Sequence, residues 1–228
     1  MNSNALESCD STKSEPPPPE VKLCCRHPLQ LGWLIEGNRI SNQQLRACIK
    51  KKATQEDYRC AIVLLNQLII RDPESAIDYN NRGLMYFKQG DYQQAMEDFN
   101  QAIALNSHLD QAYNNRANCY VKLGYLMIAL KDYETALDLN PYNQKVSINK
   151  GITLRDLEEY DLALETFDFA LILGKTLQGR IYAERGYTYH LRGDWNCAIA
   201  DYRRSLANLP EGDHYHSKVQ QWLSDLIN

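Results

Sequence analysis

Apolar positions along this chain return with a fixed spacing. Tyr79-Asn80-Asn81-Arg82 opens one apolar-periodic segment and Tyr113-Asn114-Asn115-Arg116 opens another, 34 residues on. A shift of that size aligns far more than four letters, which is the mark of an internal repeat. The frames run 76–109, 110–143, 144–177 and, after one extra residue, 179–212. The extra residue falls in LGKTLQG, where lengthening a loop costs little. The eighth position carries Gly83, Ala117, Gly151 and Gly186, and the eleventh Tyr86, Tyr120, Leu154 and Tyr189. The twentieth is always alanine (Ala95, Ala129, Ala163, Ala198) and the twenty-fourth always aromatic (Phe99, Tyr133, Phe167, Tyr202). Ala102, Ala136, Ala170 and Ser205 follow at the twenty-seventh.

Small residues let two helices approach closely and large aromatics fill the space they leave, so the pattern predicts helical hairpins packed on copies of themselves. The turns read KQGDY, KLGYL, LEEYD and RGDW, with glycine in three where a positive backbone angle is easiest. Pro141 and Pro210 close two units by stopping the second helix. These residues resemble the tetratricopeptide repeat family, with its W-x2-L-G-x2-Y, A-x3-F-x2-A and terminal Pro pattern, Tyr79, Tyr113 and Tyr182 standing in the Trp place. The resemblance implies an all-α, right-handed superhelix of antiparallel helix pairs.

Upstream, 42–75 fits the frame in its second half only: Tyr58, Ala61, Leu65, Leu68 and Pro73 fall in place, but Ile49 stands where glycine belongs. This reads as a degenerate first repeat. Downstream, in 213–228, Val219, Trp222, Leu223 and Leu226 form the stripe of an amphipathic capping helix over the last repeat. The 1–20 stretch is polar, Ser-rich and ends near four prolines, as a disordered tail does. Within 21–41, PLQLGWLIEGNRI is apolar enough to dock on the first unit.

The family has leucine at the seventh position; this chain has Arg82, Arg116, Lys150 and Arg185. Sixteen residues after each stand Asp98, Asp132, Thr166 and Asp201, so every arginine has its aspartate and the lysine has threonine. The pairing predicts an ion pair between the two helices of a unit, favoured by the fork of arginine and useful for helix register.

In the family, positions 2, 5, 6, 9, 12 and 13 of the first helices line a concave groove. Position 6 is Asn81, Asn115, Asn149 and then Glu184. A carboxamide both donates to and accepts from a peptide group, so this row can grip the backbone of an extended peptide; alternatively it satisfies neighbouring polar groups of the helices. The first full unit adds Asn80, Leu84, Phe87 and Lys88, and the second Asn114, Asn118 and Lys122. The third adds Lys145, Ile148 and Arg155, and the fourth Arg180 and Tyr187. Only Asp156 and Glu184 are acidic, so the expected ligand is an acidic or carboxylate-bearing segment of a protein partner. The carboxylate clamp of related co-chaperones is not expected, because Asn114 and Glu184 stand where it needs cations.

A second candidate surface is GYLMIAL, where Tyr125, Met127 and Ile128 replace the polar residues of GDYQQA and GDWNCA. Phe169 and Ile172 lie on the expected outer face of the third unit. Exposed apolar clusters mark contacts, either with a partner or with a terminal segment such as 21–41 folded over them.

Charge changes the picture in one respect. Residues 21–71 balance at +6 and residues 72–228 at −7 within a net −4. The basic block, including Lys50-Lys51-Lys52, supplies the competing reading, an RNA-binding helical repeat. Seven cysteines at irregular spacing suggest a reducing cytoplasm rather than a disulfide framework. Cys24-Cys25 lacks the spacing of a zinc site. No apolar run reaches the roughly 18 residues of a membrane span, and no secretory signal is recognisable at the start. The chain has no G-x-x-x-x-G-K-[ST], H-E-x-x-H or G-x-S-x-G motif. Expected, then, is a cytoplasmic interaction scaffold, adaptor or assembly factor without catalysis, cofactor or metal. Self-association stays open.

Overall fold

Helix signals fall where the frames place them. Ser41 and Gln44 form a capping box: the Gln44 N–H donates to Ser41 Oγ at 3.2 Å, and the Ser41 N–H to Gln44 Oε1 at 2.9 Å. Asp57, Asp91 and Asn143 cap three further helices through their side chains. The structure, a computed structural model, describes residues 40–210 and 212–227. The 1–20 tail, the 21–41 docking segment up to residue 39, and Cys24-Cys25 therefore lie outside the described residues.

Among the described residues there are eleven helices and no strand. The first hairpin is α1 (Asn42–Thr54) with α2 (Tyr58–Arg71), and the second α3 (Ala76–Gln89) with α4 (Tyr92–Leu105). The third is α5 (Asp110–Lys122) with α6 (Leu126–Leu139), and the fourth α7 (Gln144–Asp156) with α8 (Tyr160–Leu173). The fifth is α9 (Gln178–Arg192) with α10 (Trp195–Asn208), and α11 (His214–Ile227) follows. Each helix packs on the next, and from α3 onward each first helix also touches the first helix of the following hairpin. This is an all-α solenoid.

The alanine, glycine and aromatic rows are its core. Phe99, Tyr133, Phe167 and Tyr202 are fully buried, each against an alanine of its own helix. The small position opposite is tight: a Cβ on Gly83 would lie 2.8 Å from the Phe99 ring, and one on Gly151 would lie 2.6 Å from the Phe167 ring. Val219 of α11 is buried and Trp222, Leu223 and Leu226 pack with it against Ala183, Ala198 and Tyr202. Beside the extra residue, Gln144 Nε2 donates to the carbonyls of Ala170 and Gly174 at 3.0 and 2.9 Å, closing the lengthened connection.

The hairpin turns need one left-handed residue each. Gly90, Gly124 and Gly193 supply it at φ 90, 83 and 92°, but the first and fourth hairpins use Glu56 and Glu158 at φ 58 and 64°. A side chain at such an angle costs about 1 kcal/mol, less the extra freedom glycine has when unfolded. Glu158→Gly is therefore expected to stabilise the protein by about 0.5 kcal/mol in urea unfolding; a destabilised variant would mean the Glu158 side chain contributes something the backbone argument lacks.

Candidate functional site

The seventh-position cations make the contacts the spacing implies, and one more. Arg82 Nε and Nη2 donate to the two oxygens of Asp98 at 2.8 and 2.6 Å. Arg116 meets Asp132 at 2.7 Å twice, and Arg185 meets Asp201 at 2.6 and 2.9 Å. Each guanidinium also sits over the tyrosine three residues before it, 5.4–5.5 Å from the ring centre of Tyr79, Tyr113 or Tyr182. The aspartates are buried, and the carboxylate bonds raise the Arg82 and Arg116 guanidiniums above their ordinary range.

The third nitrogen reaches back to the preceding hairpin. Arg82 Nη1 donates to Asn66 at 2.7 Å, Arg116 Nη1 to Asn100 at 2.8 Å, and Arg185 Nη1 to Asp168. Lys150 keeps only this arm, to Glu134 at 3.2 Å, while Thr166 turns its hydroxyl to its own backbone at Leu162. Sequence reasoning missed the arm although its signal was present: Asn66, Asn100, Glu134 and Asp168 share the twenty-fifth position of consecutive frames.

The asparagine rows on α3, α5 and α7 are bonded across helices. Asn115 Nδ2 donates to Asn80 Oδ1 at 3.0 Å, and Asn149 Nδ2 to Asn114 Oδ1 at 3.1 Å and Asn118 Oδ1 at 3.3 Å. Position 6 of one hairpin thus ties to position 5 of the one before. Asn80 is buried, and Asn118 also accepts from the Tyr133 hydroxyl at 2.7 Å. Asn81 ends the row: the position 5 it would tie to in the preceding hairpin is Arg46, which pairs with the buried Asp78 at 2.9 Å. Asn81 makes no side-chain hydrogen bond among the described residues.

The far end of the row is closed. Buried Arg155 donates to buried Glu184 at 2.6 Å and lies 4.9 Å from the Tyr187 ring centre. From α11, the Tyr215 hydroxyl donates to Glu184 at 2.6 Å, Trp222 stacks on Tyr187 at 4.5 Å, and Arg180 lies over Tyr215. Burial pushes the Tyr215 phenol up to about 12. The structure therefore places Arg155, Arg180 and Tyr187 in an internal cluster with the capping helix. Leu84 and Phe87 are half-buried in the second hairpin's cluster, while Lys88, Lys122 and Lys145 are exposed and unpaired among the described residues.

Tyr125, Met127 and Ile128 are exposed on the third turn, as Phe169 and Ile172 are on α8. Among the described residues no group of His, Cys, Asp and Glu could hold a metal, and no helix is long and apolar enough to cross a membrane.

This geometry, helix pairs in series with a polar row along their first helices, defines a repeat scaffold. Residues 76–109 and 110–143 match models of the tetratricopeptide repeat, so the chain carries repeats of that family there; such domains are generally non-enzymatic scaffolds for protein partners. No curated protein matches the chain. Among solved structures it is similar to TTC0263, a thermophilic TPR protein of Thermus thermophilus, at 19% identity over 82% of this chain and 99% of that one, TM-score 0.69. It is also similar to MamA from Desulfovibrio magneticus RS-1, at 15% identity over 75% and 96%, TM-score 0.63. YrrB, a TPR protein with an unusual peptide-binding site, matches at 17% identity over 86% and 100%, TM-score 0.58. At such identities the likeness extends to the fold alone.

Removing one partner of a buried pair strands the other. Arg116→Leu is expected to cost about 3 kcal/mol in urea unfolding, and adding Asp132→Thr, the fourth hairpin's solution, is expected to recover most of it. A single variant as stable as the wild type would mean that Asp132 does not need the guanidinium. Burial also pushes the Cys119 thiol up to about 12. Iodoacetamide at pH 8 should thus label exposed Cys197 well before Cys119, read by peptide mass mapping.

Proposed function

We propose that the first helices of hairpins one to four hold an extended, acidic segment of a partner protein, and that the chain works as an adaptor or assembly factor through that contact. The observation that carries the reading is the sorting of charge along these helices. Asp78 and Glu184 are buried and bonded to cations of the protein itself, and exposed Asp156, at the end of α7, lies 3.7 Å from Arg155. Lys50, Lys88, Lys122 and Lys145 are exposed and have no partner among the described residues. The surface left to a ligand is cationic and amide-bearing, with Asn81 able both to donate and to accept.

The amides between neighbouring helices limit what the row can offer. Asn149 spends both N–H groups on Asn114 and Asn118 and keeps its carbonyl oxygen, whereas Asn115 keeps one N–H. A ligand peptide would find its fullest backbone partner at Asn81 and its charge partners at the lysines. YrrB's peptide-binding site provides a precedent on the same fold.

A fluorescein-labelled Asp/Glu-rich peptide should bind the full chain with an affinity that falls as salt rises. Lys88→Glu, Lys122→Glu and Lys145→Glu together should weaken it by at least about thirtyfold, and Asn81→Ala by about threefold. Unchanged binding in the triple variant would remove the reading. A uridine-rich RNA oligonucleotide run alongside decides the competing class: tighter binding of RNA than of peptide would sink the peptide reading.

A further inference from the structure

The third hairpin's turn is apolar where the second hairpin's is polar. In the second hairpin the equivalent turn exposes Lys88, Gln89 and Asp91. In the third, Leu123, Tyr125, Met127 and Ile128 are all exposed, Met127 at 63%. Leu157, from the fourth turn, joins Tyr125, Met127 and Ile128 around an apolar cleft of about 260 Å³. Apolar surface gathered across two hairpins is a contact surface rather than scatter.

Its flanks carry opposite charge. Lys131 lies one helical turn beyond Met127 and Ile128 on the same face of α6. On the other flank, Glu158 and Glu159 follow Leu157 directly, and Glu159 opens α8. Lys131, Glu158 and Glu159 are exposed and make no ion pair among the described residues, whereas neighbouring Asp161 is held by Arg192 of α9. A uniformly acidic or basic partner would be repelled on one flank. A surface related to this one by a two-fold rotation meets attraction on both, because the rotation sets each cation against the other copy's anions.

We propose that this face is a two-fold interface between two copies of the chain, with Tyr125, Met127 and Ile128 meeting near the axis and Lys131 of each copy set against Glu159 of the other. The cleft beside Leu157 is open to receive an apolar side chain of the opposite copy. The contact uses none of Lys88, Lys145 or Asn81 and meets the proposed peptide face only at its edge, where Lys122 precedes Leu123, so it would pair two such faces in one particle.

Sedimentation of the full-length chain tests it. The wild type should dimerise with a dissociation constant on the order of 10 µM. Lys131→Glu and Glu159→Lys should each weaken the dimer about tenfold or more, with helicity unchanged because both side chains are exposed. Mixed one to one, the two variants should dimerise again, since each copy then offers the charge the other lacks at both symmetric contacts. Met127→Asp should abolish association in all backgrounds. A wild type that stays monomeric to about 200 µM would overturn the proposal. So would a dimer indifferent to Met127→Asp, or a variant mixture no better associated than its components.

Discussion

The solenoid depends on one recurring contact, the guanidinium at the seventh position. It is forked onto the aspartate of its own hairpin, covered by a tyrosine, and bonded to the hairpin before. A helical pair joined only by apolar contacts can slide and rotate at little cost, because such contacts are non-directional. A planar fork with three acceptors on two helices has one low-energy arrangement. Buried ion pairs are weak sources of net stability, since desolvation offsets most of their attraction. Their value here is geometric: Arg82, Arg116 and Arg185 set the angle between the helices of a hairpin and the stagger between hairpins together.

In the fourth hairpin this contact is reduced, and the chain compensates elsewhere. Tyrosine, arginine and aspartate are replaced there as a set by Ser147, Lys150 and Thr166, and only the backward arm survives. Further along α7, Arg155 reaches forward instead, to Glu184 on α9 under Tyr187 and Trp222. The fourth and fifth hairpins are thus tied twice, by Arg185 to Asp168 on the second helix α8 and by Arg155 to Glu184 between the first helices. The cost is visible as well: Nε of Arg155 and of Arg180 are buried without a hydrogen-bond partner among the described residues. The capping helix has two tasks at this end, covering the apolar side of the fifth hairpin and supplying the Tyr215 hydroxyl to Glu184.

Much of this was legible in the letters because it is periodic. Alanine and aromatic rows, the sixteen-residue offset from Arg to Asp and the α11 stripe each repeat a physical requirement at a fixed spacing, and repetition separates requirement from chance. The contacts that were not legible run between frames. The arm from Arg82, Arg116 or Arg185 reaches into the preceding unit, to Asn66, Asn100 or Asp168, and the amide ties join position 6 to position 5 of the preceding unit, an offset of 35, so a comparison within units shows neither. Arg155 and Glu184 look from sequence like a free cation and a repulsive carboxylate. They become a neutral buried pair only once α7 and α9 are adjacent. The left-handed Glu158 is a further case, since the glycine pattern marks the turn but not the angle its substitute must take.

The amide ties also give the row a direction. Each carboxamide that bonds to its neighbour stiffens the stack and surrenders part of its capacity toward a ligand, so a row complete at both ends would be a strut and little else. The row here is incomplete at one end, because the place that would receive Asn81 is Arg46, drawn off to the buried carboxylate of Asp78. At the other end it is closed by Glu184, Arg155 and α11. An extended peptide on the first helices would therefore meet a free carboxamide near the second hairpin and a sealed aromatic cluster near the fifth. Because a peptide backbone is itself directional, with donors and acceptors in fixed order, such an asymmetric row favours one orientation of the bound chain over its reverse.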